Sequence, residues 1–186
     1  MQKWNERYTR GEFMDSGPSP LLEQAVDGVK PGRALDLASG NGRHAIFLAQ
    51  EGWEVTAVDS APAAIELIRT RAAAQNLQIN IRLADLESGA FRVDSQNWDL
   101  ICDFYYLQRD LFPAIRSTLV PGGLFVAAIH MQDATPDVRP MNPAFLLNEG
   151  ELREQFSGWE ILHYSEGAPR DSAHRRRTAE LIARSV

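Results

Sequence analysis

Short apolar runs alternate along the chain with segments whose apolar residues recur every three or four positions, and proline and glycine separate the two patterns. The alternation predicts strands over 33–37, 54–59, 79–83, 98–103 and 124–130. A helix is predicted from Pro20 to about Val29, because Ser19 is a cap residue and Pro20 suits the first helical position. A second runs over 43–51 and stops at Gly52. A third begins after Ser60, read as its cap, with Ile65, Ile68 and Ala72 on one face; a fourth carries Leu111, Ile115 and Leu119 and ends at Pro121-Gly122-Gly123. Residues 87–97 form a mostly polar connection.

The last third changes character. Residues 131–148 are irregular and proline-bearing, 149–156 suit a short helix, and 158–165 and 176–184 are strand candidates that pair as a closing hairpin. A loop of about 18 residues is long for a compact domain and is expected to serve the substrate side. Five strands alternating with helices imply right-handed crossovers and a parallel sheet covered on both faces. The expected class is therefore α/β, a Rossmann-like doubly wound and mostly parallel sheet, with ligands at the carboxyl ends of the strands where the strand order reverses. One domain is expected over 1–186. Within it, Trp4 and Tyr8, four apart on an amino-terminal helix, read either as part of a lid over 1–18 that closes on the cofactor or as plain packing.

Charge narrows the partners. With 19 basic and 25 acidic residues the net charge is -6, which argues against nucleic acid and against a membrane surface. Residues 1–13 lack the apolar centre of a signal peptide, and no apolar run approaches the roughly 18 residues of a membrane span. Cys102 is the only cysteine, so neither an internal disulfide nor a CxxC metal site is available. A cytoplasmic protein without a metal, monomeric or a weak homodimer, is the expectation.

The chemistry concentrates between the first strand and its helix, in Asp36-Leu37-Ala38-Ser39-Gly40-Asn41-Gly42-Arg43-His44-Ala45. Gly40 and Gly42 permit a tight turn with positive φ and let a ligand lie against bare backbone, while the amides that open the helix present positive dipole ends. Read literally, 40–45 is GxGxxA, which suits a dinucleotide equally well. The acids sharpen the choice. Asp59 ends the second strand, 17 positions after Gly42, where it can take both ribose hydroxyls. Asp85, just past the third strand, can accept from an adenine amine while Leu86 offers its amide to the ring, and Asp103 at the end of the fourth strand faces the reacting centre. Acids at three successive strand tips suit a nucleoside without phosphate, because a pyrophosphate would be repelled.

Asp36-Leu37-Ala38-Ser39-Gly40-Asn41-Gly42, Val58-Asp59, Ala84-Asp85-Leu86, Trp98-Asp99-Leu100-Ile101 and Leu119-Val120-Pro121-Gly122-Gly123-Leu124 resemble, in order and spacing, the class I S-adenosylmethionine-dependent methyltransferases. Within that superfamily, Asn142-Pro143-Ala144-Phe145-Leu146-Leu147, Gly150-Glu151-Leu152 and Gly158-Trp159-Glu160 are similar to the TehB-like, tellurite-resistance branch. The resemblance implies a seven-stranded sheet with the last strand antiparallel, and S-adenosyl-L-methionine as cofactor. It implies that Asp36, Ala38, Gly40, Asn41 and Gly42 hold the methionine end, Asp59 and Ser60 the ribose, and Asp85 and Leu86 the adenine, with Tyr8 and Asp103 completing the cofactor site. A His-Arg pair before the last strand is associated with catalysis in the branch; here the matching places are Arg170, preceded by Pro169, and His174, followed by Arg175. The family usually has glycine at the position of Ala38, so this turn carries a Cβ.

Methyl transfer from a sulfonium needs alignment above all, and a general base matters only for protic acceptors. Arg170 and Arg175 to Arg177 form a basic cluster that reads either as solvated charge on an edge hairpin or as a hold on an anionic acceptor. His44 and His130 read as hydrogen-bonded structural residues, and Phe104, Tyr105 and Tyr106, after the fourth strand, read either as residues beside the acceptor or as core and wall. The Pro-Cys nucleophile of cytosine methylation and the Asn/Asp-Pro-Pro-aromatic motif of adenine amino methylation are absent. The acceptor is thus expected to be a small molecule, anionic or a soft nucleophile. The rival readings are an NAD-dependent oxidoreductase, from GxGxxA and Asp59, and a non-catalytic S-adenosylmethionine-binding protein.

Overall fold

The computed structural model describes residues 2–11, 17–93, 97–133, 140–172 and 174–186. Residues 12–16 of the expected lid and 134–139 of the expected substrate-side loop lie outside the described residues. In chain order the elements are α1 (Gln2–Thr9), α2 (Pro20–Val26), β1 (Arg33–Leu37), α3 (Arg43–Gln50), β2 (Glu54–Asp59), α4 (Pro62–Ala74), β3 (Ile79–Leu83), β4 (Trp98–Phe104), α5 (Leu111–Thr118), β5 (Leu119–His130), α6 (Glu151–Gln155), β6 (Glu160–Gly167) and β7 (Thr178–Arg184). They build a seven-stranded sheet of order β3-β2-β1-β4-β5-β7-β6. All neighbours run parallel except β7, which is antiparallel to both β5 and β6. The order reverses between β1 and β4, which puts the ligand crevice at their carboxyl ends.

Alternate residues of each central strand face opposite layers. Ala34, Leu100, Cys102, Val126 and Ile182 pack beneath α2, α3 and α4, while Leu35, Ile101, Phe125 and Leu181 pack beneath α5 and α6. On α2, Ser19 Oγ accepts from the Leu21 amide at 3.3 Å. That helix stops at Val26, short of Val29, because Gly28 turns to φ 68° and closes the last turn.

Three other expectations change. The cap of α4 is Ala61 rather than Ser60, and Asp59 Oδ1 takes the Ala61 amide at 2.8 Å, a task the hydroxyl was expected to perform. Pro121-Gly122-Gly123 does not end a helix containing Leu119: α5 stops at Thr118, Leu119 already pairs with Trp98, and the three residues make an irregularity before the regular ladder resumes at Leu124. The sheet is not covered on both faces throughout. No α-helix joins β3 to β4 among the described residues, so β3 is the least buried strand and Leu83 is 56% exposed.

Candidate functional site

The chain leaves β1 through a bend in which Ala38, Gly40 and Gly42 all have positive φ, at 49°, 55° and 76°. Two ties to β2 hold it: the Ser39 amide donates to the Val58 carbonyl at 2.9 Å, and the Gly40 amide donates to Asp59 Oδ2 at 2.8 Å. With Oδ1 on the Ala61 amide, the Asp59 carboxylate links the glycine bend to the start of α4. Asn41 Oδ1 accepts from the Arg43 amide, and its carbonyl accepts from Arg71 on α4 at 3.0 Å. A Cβ at Gly42 would lie 2.6 Å from Ile68 Cγ1, so α4 packs directly against bare backbone.

Ala38 is the one residue of the bend that pays for this shape. An L-residue in the left-handed region costs roughly 1–2 kcal/mol, and glycine recovers part of that while adding entropy to the unfolded chain. Ala38→Gly is therefore expected to raise stability by about 1 kcal/mol, read as an increase in the urea midpoint at constant slope.

Over the bend lies α1. A Cβ at Gly40 would meet the Tyr8 hydroxyl at 2.6 Å, and Asn5 Oδ1 accepts from the Ala63 amide at 2.8 Å. Burial and the nearby Asp59 hold the Tyr8 phenol protonated well above its ordinary range. Beside α1, a cleft of about 480 Å³ is lined by Asn5, Ser60, Pro62, Leu83, Ala84, Asp85, Ser88 and Ala90. Asp85 Oδ1 takes the Glu87 amide at 3.0 Å. Leu86 is buried in the core, and its carbonyl accepts from Gln108.

Two acids lie deeper. Asp36, 1% exposed, accepts from the Cys102 thiol at 3.4 Å through Oδ1, while Oδ2 has no hydrogen-bond partner among the described residues. Burial pushes its carboxyl up to about 7. Asp103 is equally buried, and burial together with Asp36 raises it well above the carboxylate range.

On the far side of the bend stands a cluster that sequence spacing did not reveal. Arg43, the first residue of α3, donates to Asp171 Oδ2 at 2.6 Å, with both side chains 9% exposed. The same oxygen accepts from the Tyr105 hydroxyl at 3.3 Å. Tyr105 itself has φ 65°, a strained backbone for a bulky residue. Its ring centroid lies 3.5 Å from that of His174 at 15° and 4.9 Å from that of His130 at 37°. Burial lowers both His130 and His174 to about 4, so both imidazoles are neutral near pH 7. His44 stacks on Phe104 at 4.0 Å and is also held neutral by burial. His44 Nε2 and His130 Nδ1 lack partners among the described residues, so these nitrogens are not the hydrogen-bonded ones expected.

Asp36, Ala38, Gly40, Asn41, Gly42, Asp59 and Tyr8 thus meet at the bend, and Ser60 and Asp85 share the cleft. Arg170 does not join His174: its guanidinium is directed to Glu180, His163 and Gln24.

A family model described as tellurite resistance protein TehB matches residues 6–178. The chain is 33% identical over 151 residues to hemagglutinin 1 of Eikenella corrodens, covering 78% of this chain and 49% of that protein. It is 28% identical over 173 residues to the probable S-adenosyl-L-methionine-dependent methyltransferase TehB of Haemophilus influenzae, covering 89% and 56%. The chain spans about half the length of these curated relatives. Among solved structures, TehB from Haemophilus influenzae superposes with a TM-score of 0.78 at 24% identity, covering 98% of this chain and 67% of that one. The glycopeptide N-methyltransferase MtfA complexed with S-adenosyl-L-methionine superposes with a TM-score of 0.60 at 20% identity, covering 88% and 94%. Both share this fold.

Proposed function

The chain belongs to the TehB family, and from that membership we propose that it is an S-adenosyl-L-methionine-dependent methyltransferase acting on a small, soft nucleophile. The observation that carries the reading is the balance of charge around the bend. Asp36, Asp59, Asp85 and Asp103 stand at successive strand tips, and the adjoining guanidinium of Arg43 is already paired with Asp171. Buried acids that ionise when a cation lies beside them suit a ligand that carries a sulfonium and an ammonium, and disfavour the pyrophosphate of a nicotinamide dinucleotide.

The residues fit that cofactor. Asp36 Oδ2 is a buried acceptor without a partner among the described residues, Gly40 leaves its backbone bare, and the cleft beside Asp85 has the volume for a nucleoside. When bound, S-adenosyl-L-methionine supplies an electrophilic methyl group whose sulfur departs without a proton. In this reading Asp36, Ala38, Asn41 and Gly42 bind the methionine end, Asp59 offers its remaining lone pairs to the ribose, and Ser60, Asp85 and Leu86 take the adenine. Tyr8 on α1 excludes water from the bend.

The acceptor belongs beside Tyr105, His130 and His174, whose rings orient it for in-line attack. Imidazoles titrating near 4 are weak proton acceptors. They suit a nucleophile that arrives with its lone pair free, not an alcohol or an ammonium that must first be deprotonated. The commitment of Arg170 to Glu180 likewise favours a soft nucleophile over an acceptor held by that charge.

The test is release of S-adenosylhomocysteine on incubation with S-adenosyl-L-methionine and a panel of thiolates, selenols, tellurite and amines. Release with a soft member and not with the amines supports the reading. Tight cofactor binding without release across the panel would replace it with the non-catalytic alternative. Asp59→Ala is expected to weaken cofactor binding by about 1–3 kcal/mol through loss of charged hydrogen bonds, checked by the dissociation constant for S-adenosylhomocysteine. An unchanged constant would refute the ribose assignment.

A further inference from the structure

Glu180 sits in the middle of β7 between Ala179 and Leu181, and it is 3% exposed. A carboxylate in such a place is costly unless it is paired. Among the described residues its closest partner is Arg170, with His163 Nε2 on β6 3.8 Å from Oε2. The Arg170 amide donates to Glu180 Oε1 at 3.0 Å, and Arg170 Nε forms an ion pair with Oε2 at 3.0 Å. The rest of that guanidinium reaches Gln24 on α2 at 2.6 Å and the His163 ring on β6 at 2.7 Å. Arg170 is therefore fixed through main chain and side chain to three elements.

Its neighbour turns the other way. Asp171 takes Arg43 and the Tyr105 hydroxyl, and its carbonyl accepts from the His174 amide at 3.0 Å. Among the described residues of 168–175, Asp171 alone is buried, so the connection between β6 and β7 has little apolar anchorage. A segment of that kind owes its order to polar ties.

We infer that Glu180 is a positioning residue: by clamping Arg170 it sets the connection between β6 and β7 so that Asp171 and His174 meet Arg43 and Tyr105 beside the glycine bend. Arg170, in this account, holds the segment and does not touch the acceptor. The inference rests on the methyltransferase reading only for its consequence in turnover.

The experiment compares the full chain with Glu180→Gln and, because loss of a buried partner can prevent folding, with Arg170→Gln, whose side chain lies nearer the surface. Amide hydrogen exchange is followed by mass spectrometry and the four histidine rings by proton NMR, with the His174 signal assigned by His174→Gln. Amides of 168–177 are expected to exchange roughly tenfold faster in either variant, while those of β1 and β4 stay protected. The His174 signals should lose the upfield displacement that the Tyr105 ring imposes at 3.5 Å. In turnover assays the variants should lose rate while their affinity for S-adenosylhomocysteine holds. Folded variants with unchanged exchange over 168–177 and unchanged His174 signals would overturn the inference. Should the unsubstituted chain bind no S-adenosylhomocysteine, the methyltransferase reading fails, and the exchange and ring signals still decide the role of Glu180.

Discussion

Gly42→Ala is expected to remove cofactor binding and to lower stability by roughly 2–5 kcal/mol, the sum of a left-handed backbone and an overpacked contact. Position 42 has φ 76°, which an alanine adopts only under strain, and its Cβ would lie 2.6 Å from Ile68 Cγ1 and 3.3 Å from Ile68 Cβ and Cγ2. Ile68 cannot yield easily, because it is fully buried on α4 and β-branched side chains are stiff in helices. The bend must therefore shift, and with it the amides that face the ligand. Gly40→Ala provides the contrast: its Cβ meets the Tyr8 hydroxyl on α1, so it should displace α1 at a smaller cost in stability. Pairing Gly42→Ala with Ile68→Ala should relieve the steric part alone. Urea unfolding and calorimetry check these outcomes, and a Gly42→Ala protein with ordinary stability and affinity would contradict the packing described.

The second large effect is a dependence on pH that originates at Asp36. Its carboxyl titrates at about 7 in the folded protein against an ordinary 3.8, with burial as the main cause. Between those values the folded chain holds a proton that the unfolded chain has released, so stability falls as pH rises through the window. The contribution is absent as a penalty below the ordinary value and reaches about 4 kcal/mol above the folded one. Asp59 and Asp103 are raised too and add slope of the same sign. The difference between the protein and Asp36→Asn isolates the Asp36 share: urea midpoints at pH 5 and pH 8 should lie closer together in the variant. A cationic ligand beside Asp36 favours its charged form. Affinity for S-adenosyl-L-methionine should accordingly rise with pH up to about 7 and lose that rise in Asp36→Asn. Equal slopes in the two proteins would remove Asp36 from the account.

How much of this was legible in the chain depends on the range of each interaction. The strands of the sheet and the bend between β1 and α3 follow from local pattern, because buried parallel strands read as short apolar runs and a glycine bend announces itself. Asp59 was legible for its place at a strand end, though its bonds to the Gly40 and Ala61 amides were not. The contact of Arg43 with Asp171 joins residues 128 positions apart, and no periodicity encodes such a pair. The strained backbone of Tyr105 has no mark in sequence either, since aromatic residues rarely occupy that region. The partners of Arg170 were hidden for a related reason. Composition shows a basic cluster near the last strand, but only the register of β7, which presents Glu180 to Arg170, decides which arginine is committed to the fold.

The measurement closest to the central claim is a calorimetric titration of the whole protein with S-adenosylhomocysteine and with NADH, run near pH 6 in two buffers of different ionisation enthalpy. S-adenosyl-L-methionine itself is titrated alongside them. The acids at the bend should give one-site binding of the adenosyl ligands with proton release, and no heat with NADH. Binding of NADH in preference to S-adenosylhomocysteine would contradict the account.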